Sequence, residues 1–121
     1  MFILFGSVLA IAKPYVPQNG DVIFQTSLSS QSKAIQIATK SPYSHVGIVT
    51  LHNGEFHVYE AIGRVSLTPL KRWIKRGKNQ KITAMRLTLS TEQLQKMKKV
   101  GEKYGGKPYD LKFAWDDDKL Y

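Results

Sequence analysis

The sequence Tyr43-Ser44-His45-Val46-Gly47-Ile48-Val49 leads to Asn53-Gly54 and then to Phe56-His57-Val58-Tyr59-Glu60. Asn-Gly between two runs rich in β-branched and aromatic residues is typical of a two-residue hairpin turn, because both turn residues can adopt positive φ angles. A turn at these positions fixes the register and pairs Gly47 with Glu60. The stretch therefore predicts an antiparallel hairpin over residues 43–62.

This register places a histidine and a glutamate on the same face of the hairpin. Side chains alternate between the two faces of a strand, so His45 and Glu60 are diagonal neighbours, about 7–8 Å apart at the backbone. His52 and His57 fall on the opposite face. The other members of the His45 face are Gly47, Val49, Leu51, Phe56, Val58 and Ile62. A carboxylate among apolar side chains is costly unless it is paired, so we expect Glu60 to bind His45, with Gly47 leaving room for it.

A histidine oriented by a carboxylate is the base and orienting group of nucleophilic catalysis. The alternative is a buried ion pair without chemistry, and the residues alone leave both open. The chain has no cysteine, and it lacks the Gly-x-Ser-x-Gly elbow that presents a catalytic serine. The weak serine candidates are Ser27, Ser29, Ser30, Ser32 and Ser44. The three histidines lack the spacing of metal ligands and there is no glycine-rich phosphate loop, so neither a metal site nor a cofactor is predicted.

The composition suits one domain with an ordinary core, since the chain has 121 residues of which 42% are hydrophobic. Its 18 basic and 9 acidic residues give a net charge of +9, which favours an anionic membrane or cell-wall surface as partner. The basic clusters are Lys71, Arg72, Lys75, Arg76, Lys78 and Lys81, and then Lys96, Lys98, Lys99 and Lys103. Two solvated helix faces are the alternative. No nucleic-acid partner is predicted, because no nucleic-acid-binding motif is present.

Residues 1–12 are almost wholly apolar and end in Ala10-Ile11-Ala12, the small-x-small pattern of a cleavage site. This pattern predicts a signal peptide over residues 1–12, a domain over residues 13–121, and export to the periplasm or outside of a bacterial cell. The run is too short to span a membrane. A first buried strand is the alternative.

The order of the remaining elements predicts an α+β domain, with an antiparallel β-sheet or partial barrel and flanking helices. The predicted strands outside the hairpin cover residues 21–26, 65–67 and 81–89. The predicted helices begin at a cap on Ser29 or Ser30 and end near Thr39, span Leu70 to Arg76 before Gly77, and begin at Ser90 with Gln93 completing a capping box.

Several stretches, in order over residues 20–121, resemble the YiiX-like family of permuted papain-fold enzymes in the NlpC-type cysteine peptidase superfamily. They are Gly20-Asp21-Val22-Ile23-Phe24-Gln25-Thr26, Tyr43-Ser44-His45-Val46-Gly47, Tyr59-Glu60-Ala61-Ile62-Gly63, Thr68-Pro69-Leu70 and Gly106-Lys107-Pro108-Tyr109-Asp110. The resemblance implies that His45 is the catalytic base and Glu60 the orienting acid.

The family's nucleophilic cysteine opens a helix, where the helix dipole lowers the thiol pKa. It follows a Trp-x-Asp-Asp-x-x-Tyr stretch, which here is Trp115-Asp116-Asp117-Asp118-Lys119-Leu120-Tyr121. The resemblance therefore implies a chain truncated just before the cysteine and lacking the helix that bears it. We expect such a chain to be inactive, with the face holding His45 partly exposed.

The leading functional prediction is a truncated member of an exported cysteine amidase or peptidase-like family that hydrolyses amide or ester bonds of a peptidoglycan peptide or a lipid. Tyr43 and Tyr109 could line the cleft or donate to an oxyanion. The alternative is a non-catalytic binding module for anionic cell-wall or lipid surfaces.

Overall fold

The computed structural model describes residues 13–108, and their centre is an antiparallel sheet. Its strands are β1 Val22–Gln25, β2 His45–His52, β3 Glu55–Ile62, β4 Arg64–Pro69 and β5 Thr83–Met85. The helices are α1 Ser32–Thr39, α2 Leu70–Arg76 and α3 Thr91–Tyr104. The strands lie in the order β4-β3-β2-β1-β5. The predicted α+β class with an antiparallel sheet is confirmed, whereas the predicted signal peptide and the tail with Tyr109 lie outside the described residues.

The central hairpin has the predicted register. Ile48 pairs with Tyr59 and Val49 with Val58. The turn residues Asn53 and Gly54 have φ angles of 49° and 77°, as a two-residue turn that matches the twist of its strands requires. The Asn-Gly pair thus fixes which side chains of β2 and β3 share a face.

The sheet face that carries His45 is the buried one. Ile23, Val49 and Val58 are fully buried there together with Trp73 of α2, and Leu70 of the same helix is 8% exposed. Helix α2 follows β4 without a loop, so its apolar side folds directly onto this face. Helix α2 covers the centre of this face, whereas Leu51 and Ile62 at its ends are 45% and 48% exposed, so the face is partly exposed as expected.

Two helices begin as predicted and one does not. Helix α2 has the predicted bounds, and Ser90 and Gln93 form the predicted capping box of α3. The predicted serine cap of α1 is wrong, because Gln31 occupies that position without a side-chain bond. The carbonyl of Ser29, rather than a serine hydroxyl, accepts the N–H of Ser32. A backbone turn therefore leads into this helix. Within residues 13–108, no helix is both long enough and apolar enough to cross a membrane.

A buried carboxylate binds the residue that follows the last strand. Asp21 is 1% exposed and accepts hydrogen bonds from Arg86, Tyr15 and the backbone N–H of Gln18. The hydrogen bond from Arg86, chiefly, lowers the pKa of Asp21 to about 2. The pairing of β5 with β1 ends at Met85, and the next residue, Arg86, turns to Asp21. The predicted strand over residues 81–89 is accordingly only three residues long.

Candidate active site

His45 and Glu60 are in direct contact, as the hairpin register predicts. The distance from His45 Nε2 to Glu60 Oε2 is 2.6 Å. The Glu60 side chain is fully buried, whereas that of His45 is 15% exposed. The acid is thus enclosed in the protein and the imidazole reaches the surface, which is the order expected of an orienting acid behind a base.

Glu60 is held by two further side chains that sequence reasoning did not assign to the site. Thr68 Oγ1 donates to Glu60 Oε1 at 2.6 Å, and Arg76 Nη2 donates to Oε2, the oxygen that also contacts His45. Burial opposes ionisation of this carboxyl, but the hydrogen bonds from His45, Arg76 and Thr68 lower its pKa to about 2. Glu60 is therefore a carboxylate at neutral pH.

The charge of Glu60 determines the tautomer of His45. An ionised carboxylate can only accept hydrogen bonds, so His45 Nε2 must carry the hydrogen that points to Oε2. In neutral imidazole the other ring nitrogen then has the free lone pair. Within residues 13–108, the His45 side chain makes its hydrogen bond through Nε2, and no hydrogen bond is formed by Nδ1. Nδ1 is thus the atom available to take a proton.

Trp73 of α2 fills the space beside the pair. Its ring stacks on the His45 imidazole, with centroids 5.9 Å apart. A Cβ at Gly47 would lie 2.3 Å from Val58 Cγ1 and 3.5 Å from Trp73 Nε1. We predicted that Gly47 leaves room for the Glu60 carboxylate. That interpretation is wrong, because Val58 and Trp73 occupy the space instead.

The serine candidates do not face His45 as nucleophiles. Ser44 Oγ accepts the N–H of Ser27 at 2.8 Å and lies 2.6 Å from Ser32 Oγ. These bonds tie the start of α1 to the start of β2. Within residues 13–108, no serine hydrogen-bonds to His45, whose side chain bonds to Glu60. The serines near the pair therefore have a structural role in this arrangement.

Tyr43 lies at a smaller cleft of about 360 Å³. Its hydroxyl is 2.6 Å from Thr83 Oγ1, and its ring packs against Phe24. The predicted roles of Tyr43 in lining a substrate cleft or donating to an oxyanion stay predictions. Tyr109 lies outside the described residues.

A larger apolar cleft, of about 800 Å³, lies between the sheet and helices α1 and α3. Its lining includes Val22, Ala34, Ile48, Tyr59, Leu94 and Met97, and it also includes Ser44, His45 and Glu60. Val46 and Val100, which also line it, are each 48% exposed. Its volume falls within the usual range for small-molecule sites. We call this opening the apolar cleft.

Sequence reasoning placed Arg76 in a basic cluster and did not link Thr68 to Glu60. The spacing of Trp73 and Arg76 could have indicated that Arg76 faces the core, since residues three apart in a helix lie on the same side. Trp73 anchors α2 in the core, so a residue on its side of the helix is directed to the buried face. The remaining basic residues of α2, which are Lys71, Arg72 and Lys75, are exposed.

Comparisons with known proteins identify close relatives. A family model described as permuted papain-like amidase enzyme, YaeF/YiiX, C92 family, matches residues 16–121. The uncharacterized protein YiiX of Escherichia coli K12 is 49% identical over 120 residues, which cover 98% of this chain and 58% of that protein. The crystal structure of metalloprotein yiiX from Escherichia coli O157:H7 has a TM-score of 0.82 at 50% identity, covering 88% of this chain and 61% of that one. The chain thus spans about three fifths of these relatives, and the resemblance and permuted papain-like fold are confirmed.

The Escherichia coli O157:H7 relative is named a metalloprotein, but the described residues of this chain do not form a metal site. Within residues 13–108, no group of three His, Asp or Glu side chains is placed to hold a metal ion. Both oxygens of Glu60 already accept hydrogen bonds from protein donors.

Proposed function

The chain belongs to the YaeF/YiiX, C92 family of permuted papain-like amidases, and from this premise we propose that His45 and Glu60 are the base and orienting acid of a cysteine hydrolase site for amide or ester bonds. The observation that carries the proposal is the 2.6 Å contact between a buried carboxylate and the Nε2 of a partly exposed histidine. This contact leaves Nδ1 as the proton acceptor.

In the proposed reaction, His45 Nδ1 takes the proton of a cysteine thiol as the sulfur attacks the carbonyl carbon. Glu60 stabilises the imidazolium that forms. The imidazolium then gives the proton to the departing amine or alcohol, which leaves a thioester, and water hydrolyses the thioester to regenerate the thiol. The 121 residues contain no cysteine, so residues outside them must supply the thiol. We accordingly propose that the 121-residue chain is inactive by itself.

The apolar cleft supports a substrate with an apolar part near the scissile bond, because the partly exposed His45 is among the residues that line it. A lipid acyl group or an apolar segment of a peptidoglycan peptide would suit this lining. We propose that one of these two is the substrate. We also propose that the protein is exported through a signal peptide at residues 1–12.

A chimera can test the roles of His45 and Glu60. Residues 1–121 would be joined to the part of Escherichia coli YiiX that follows the matched region, with the intact YiiX assayed in parallel on amide and ester substrates. We expect hydrolysis by both proteins and loss of at least 100-fold in the His45→Ala chimera. The 121-residue chain alone should show none above background.

Two outcomes would overturn the proposal. The first is a His45→Ala chimera that hydrolyses as fast as its parent. The second is hydrolysis by the 121-residue chain alone that His45→Ala abolishes, because this would require a nucleophile within the chain. Circular dichroism of each variant would show whether it is folded.

A second candidate function is binding to an anionic membrane or cell-wall surface. Three exposed basic residues of α2 and three of α3 support it: Lys71, Arg72, Lys75, Lys96, Lys98 and Lys99. None of these six forms an ion pair within residues 13–108. They offer charge to a phosphate-bearing surface, where binding weakens as salt increases.

Vesicle sedimentation separates the second candidate from the first. Vesicles with anionic phospholipid should bind the chain at low salt, and zwitterionic vesicles should not. Binding should survive His45→Ala and weaken at least tenfold when Lys71, Arg72 and Lys75 become glutamine. Equal binding to both vesicle types would rule out a charge-driven surface role.

A further inference from the structure

We propose that Arg76 is a positioning residue that keeps Glu60 ionised when His45 carries no charge. The inference rests on the proposed function, since it assigns a further residue to the same site. The evidence is geometric. Arg76 and His45 both contact Oε2 of Glu60, while Thr68 occupies Oε1.

Because Glu60 is buried, its carboxylate needs a cationic partner other than His45 whenever the imidazole is neutral. Its side chain is fully buried, and an ionised carboxylate without a charged partner is strongly destabilised in such a place. A neutral imidazole offers one hydrogen bond but no net charge. The guanidinium of Arg76 is permanently charged and is 36% exposed, so its own charge remains partly solvated. Arg76 can therefore stabilise the carboxylate in both states of the histidine.

The titratable and charged groups that contact Glu60 within residues 13–108 come from two elements. They are His45 of β2 and Arg76 of α2, while β4 contributes the uncharged hydroxyl of Thr68. His45 is neutral before it takes the thiol proton and again after it gives that proton to the leaving group, and in both states Arg76 is the only full positive charge that contacts Glu60 within residues 13–108. A site with His45 and Glu60 alone would let the buried acid take up a proton at that stage. A protonated Glu60 could no longer stabilise the imidazolium.

Carboxyl-carbon NMR of the 121-residue chain with labelled glutamate tests the proposal without any turnover. The Glu60 signal is identified by its absence in Glu60→Gln. In the unsubstituted chain, the titration midpoint of Glu60 is expected near 2. In His45→Gln it should stay below the ordinary value of 4.5. In Arg76→Met it should lie about three pH units above that of the unsubstituted chain. Arg76→Lys should keep Glu60 ionised at pH 5, as should Arg72→Met, a control on an exposed position of the same helix.

The proposal is overturned if the titration midpoint of Glu60 in a folded Arg76→Met variant stays below 4.5, or if His45→Gln raises the midpoint more than Arg76→Met does. Arg76→Met could also unfold, because it leaves a buried charge. In that event the double variant Arg76→Met with Glu60→Gln decides. Recovery of the fold supports the proposal, and failure to recover shows that Arg76 is needed for packing and not for the charge of Glu60. Because no outcome depends on hydrolysis, failure of the amidase proposal would be seen separately in the chimera assay.

Discussion

The indole ring of Trp73 lies against the imidazole ring of His45, with centroids 5.9 Å apart and ring planes inclined by 27°. Trp73 is also fully buried in the core formed by β1, β2, β3 and α2. One side chain thus supports both the packing of the sheet and the orientation of the proposed base. The stability of the domain and the geometry of the site are coupled through this residue.

Replacing Trp73 should destabilise the domain according to the volume that is removed. Trp73→Ala is expected to lower the free energy of unfolding by about 3–5 kcal/mol, because it leaves a large cavity. Trp73→Phe should cost much less, since it keeps an aromatic ring and removes an indole N–H that has no hydrogen-bond partner among the described residues. Urea unfolding followed by circular dichroism measures both. A Trp73→Ala variant within about 1 kcal/mol of the parent would show that the ring is not a core anchor.

The two buried carboxylates should make the fold sensitive to acid. The pKa of Asp21 falls from 3.8 to about 2 and that of Glu60 from 4.5 to about 2. The unfolded chain therefore binds more protons between pH 2 and pH 4.5, and stability must fall as the pH falls through this window. Above this pH window, each ionised carboxylate contributes fully to the free energy of unfolding, by about 2–3 kcal/mol.

Unfolding free energies measured from pH 7 to pH 3 check this sign. Asp21→Asn should be less stable than the parent at pH 7 and should lose less stability on acidification. Glu55→Gln is the matched control, because Glu55 is exposed and forms no ion pair within residues 13–108. A parent whose stability rises from pH 7 to pH 4 would contradict the assignment of both carboxylates.

The contact between His45 and Glu60 was predictable from sequence because local chemistry determines it. Asn53-Gly54 sets the turn, the turn sets the register, and strand alternation places both side chains on one face. Helix α2 and the capping box of α3 were predictable for the same reason, since their signals lie within a few residues.

The spacing of Trp73 and Arg76 could direct Arg76 to the buried face, but the acids that Arg76 and Arg86 contact were not predictable, because these contacts join distant parts of the chain. Arg76 reaches Glu60 across 16 positions and Arg86 reaches Asp21 across 65. In a chain with an excess of basic residues, composition does not indicate which arginine is buried against which acid. That choice depends on how α2 and the end of β5 pack, which is set by the three-dimensional fold.

Removal of the α3 cap should destabilise the helix that forms one wall of the apolar cleft. Ser90 accepts the N–H of Gln93, and the Gln93 side chain accepts the N–H of Ser90. Ser90→Ala is expected to cost about 1 kcal/mol, measured by urea unfolding. Thr91→Ala is the control, since Thr91 is the exposed first residue of α3. Equal effects of the two substitutions would mean that the cap does not contribute.

A methyl group at Gly47 should be incompatible with the neighbouring Val58 side chain. The added Cβ would lie 2.3 Å from Val58 Cγ1 and 3.1 Å from the carbonyl oxygen of Tyr59. Gly47→Ala is therefore expected to cost about 1–3 kcal/mol through overpacking. Val58→Ala removes the methyl groups responsible, but it leaves a cavity of its own.

The double variant of Gly47→Ala and Val58→Ala separates the steric effect from a general effect of glycine replacement. If the clash is the cause, the double variant should be more stable than the sum of the two single losses predicts, by about 1 kcal/mol or more. Gly54→Ala is the control, because a Cβ there meets no atom within 4 Å and its φ angle of 77° is the source of strain. Strict additivity of the Gly47 and Val58 effects would refute the steric explanation, since two substitutions that relieve one shared contact cannot be independent.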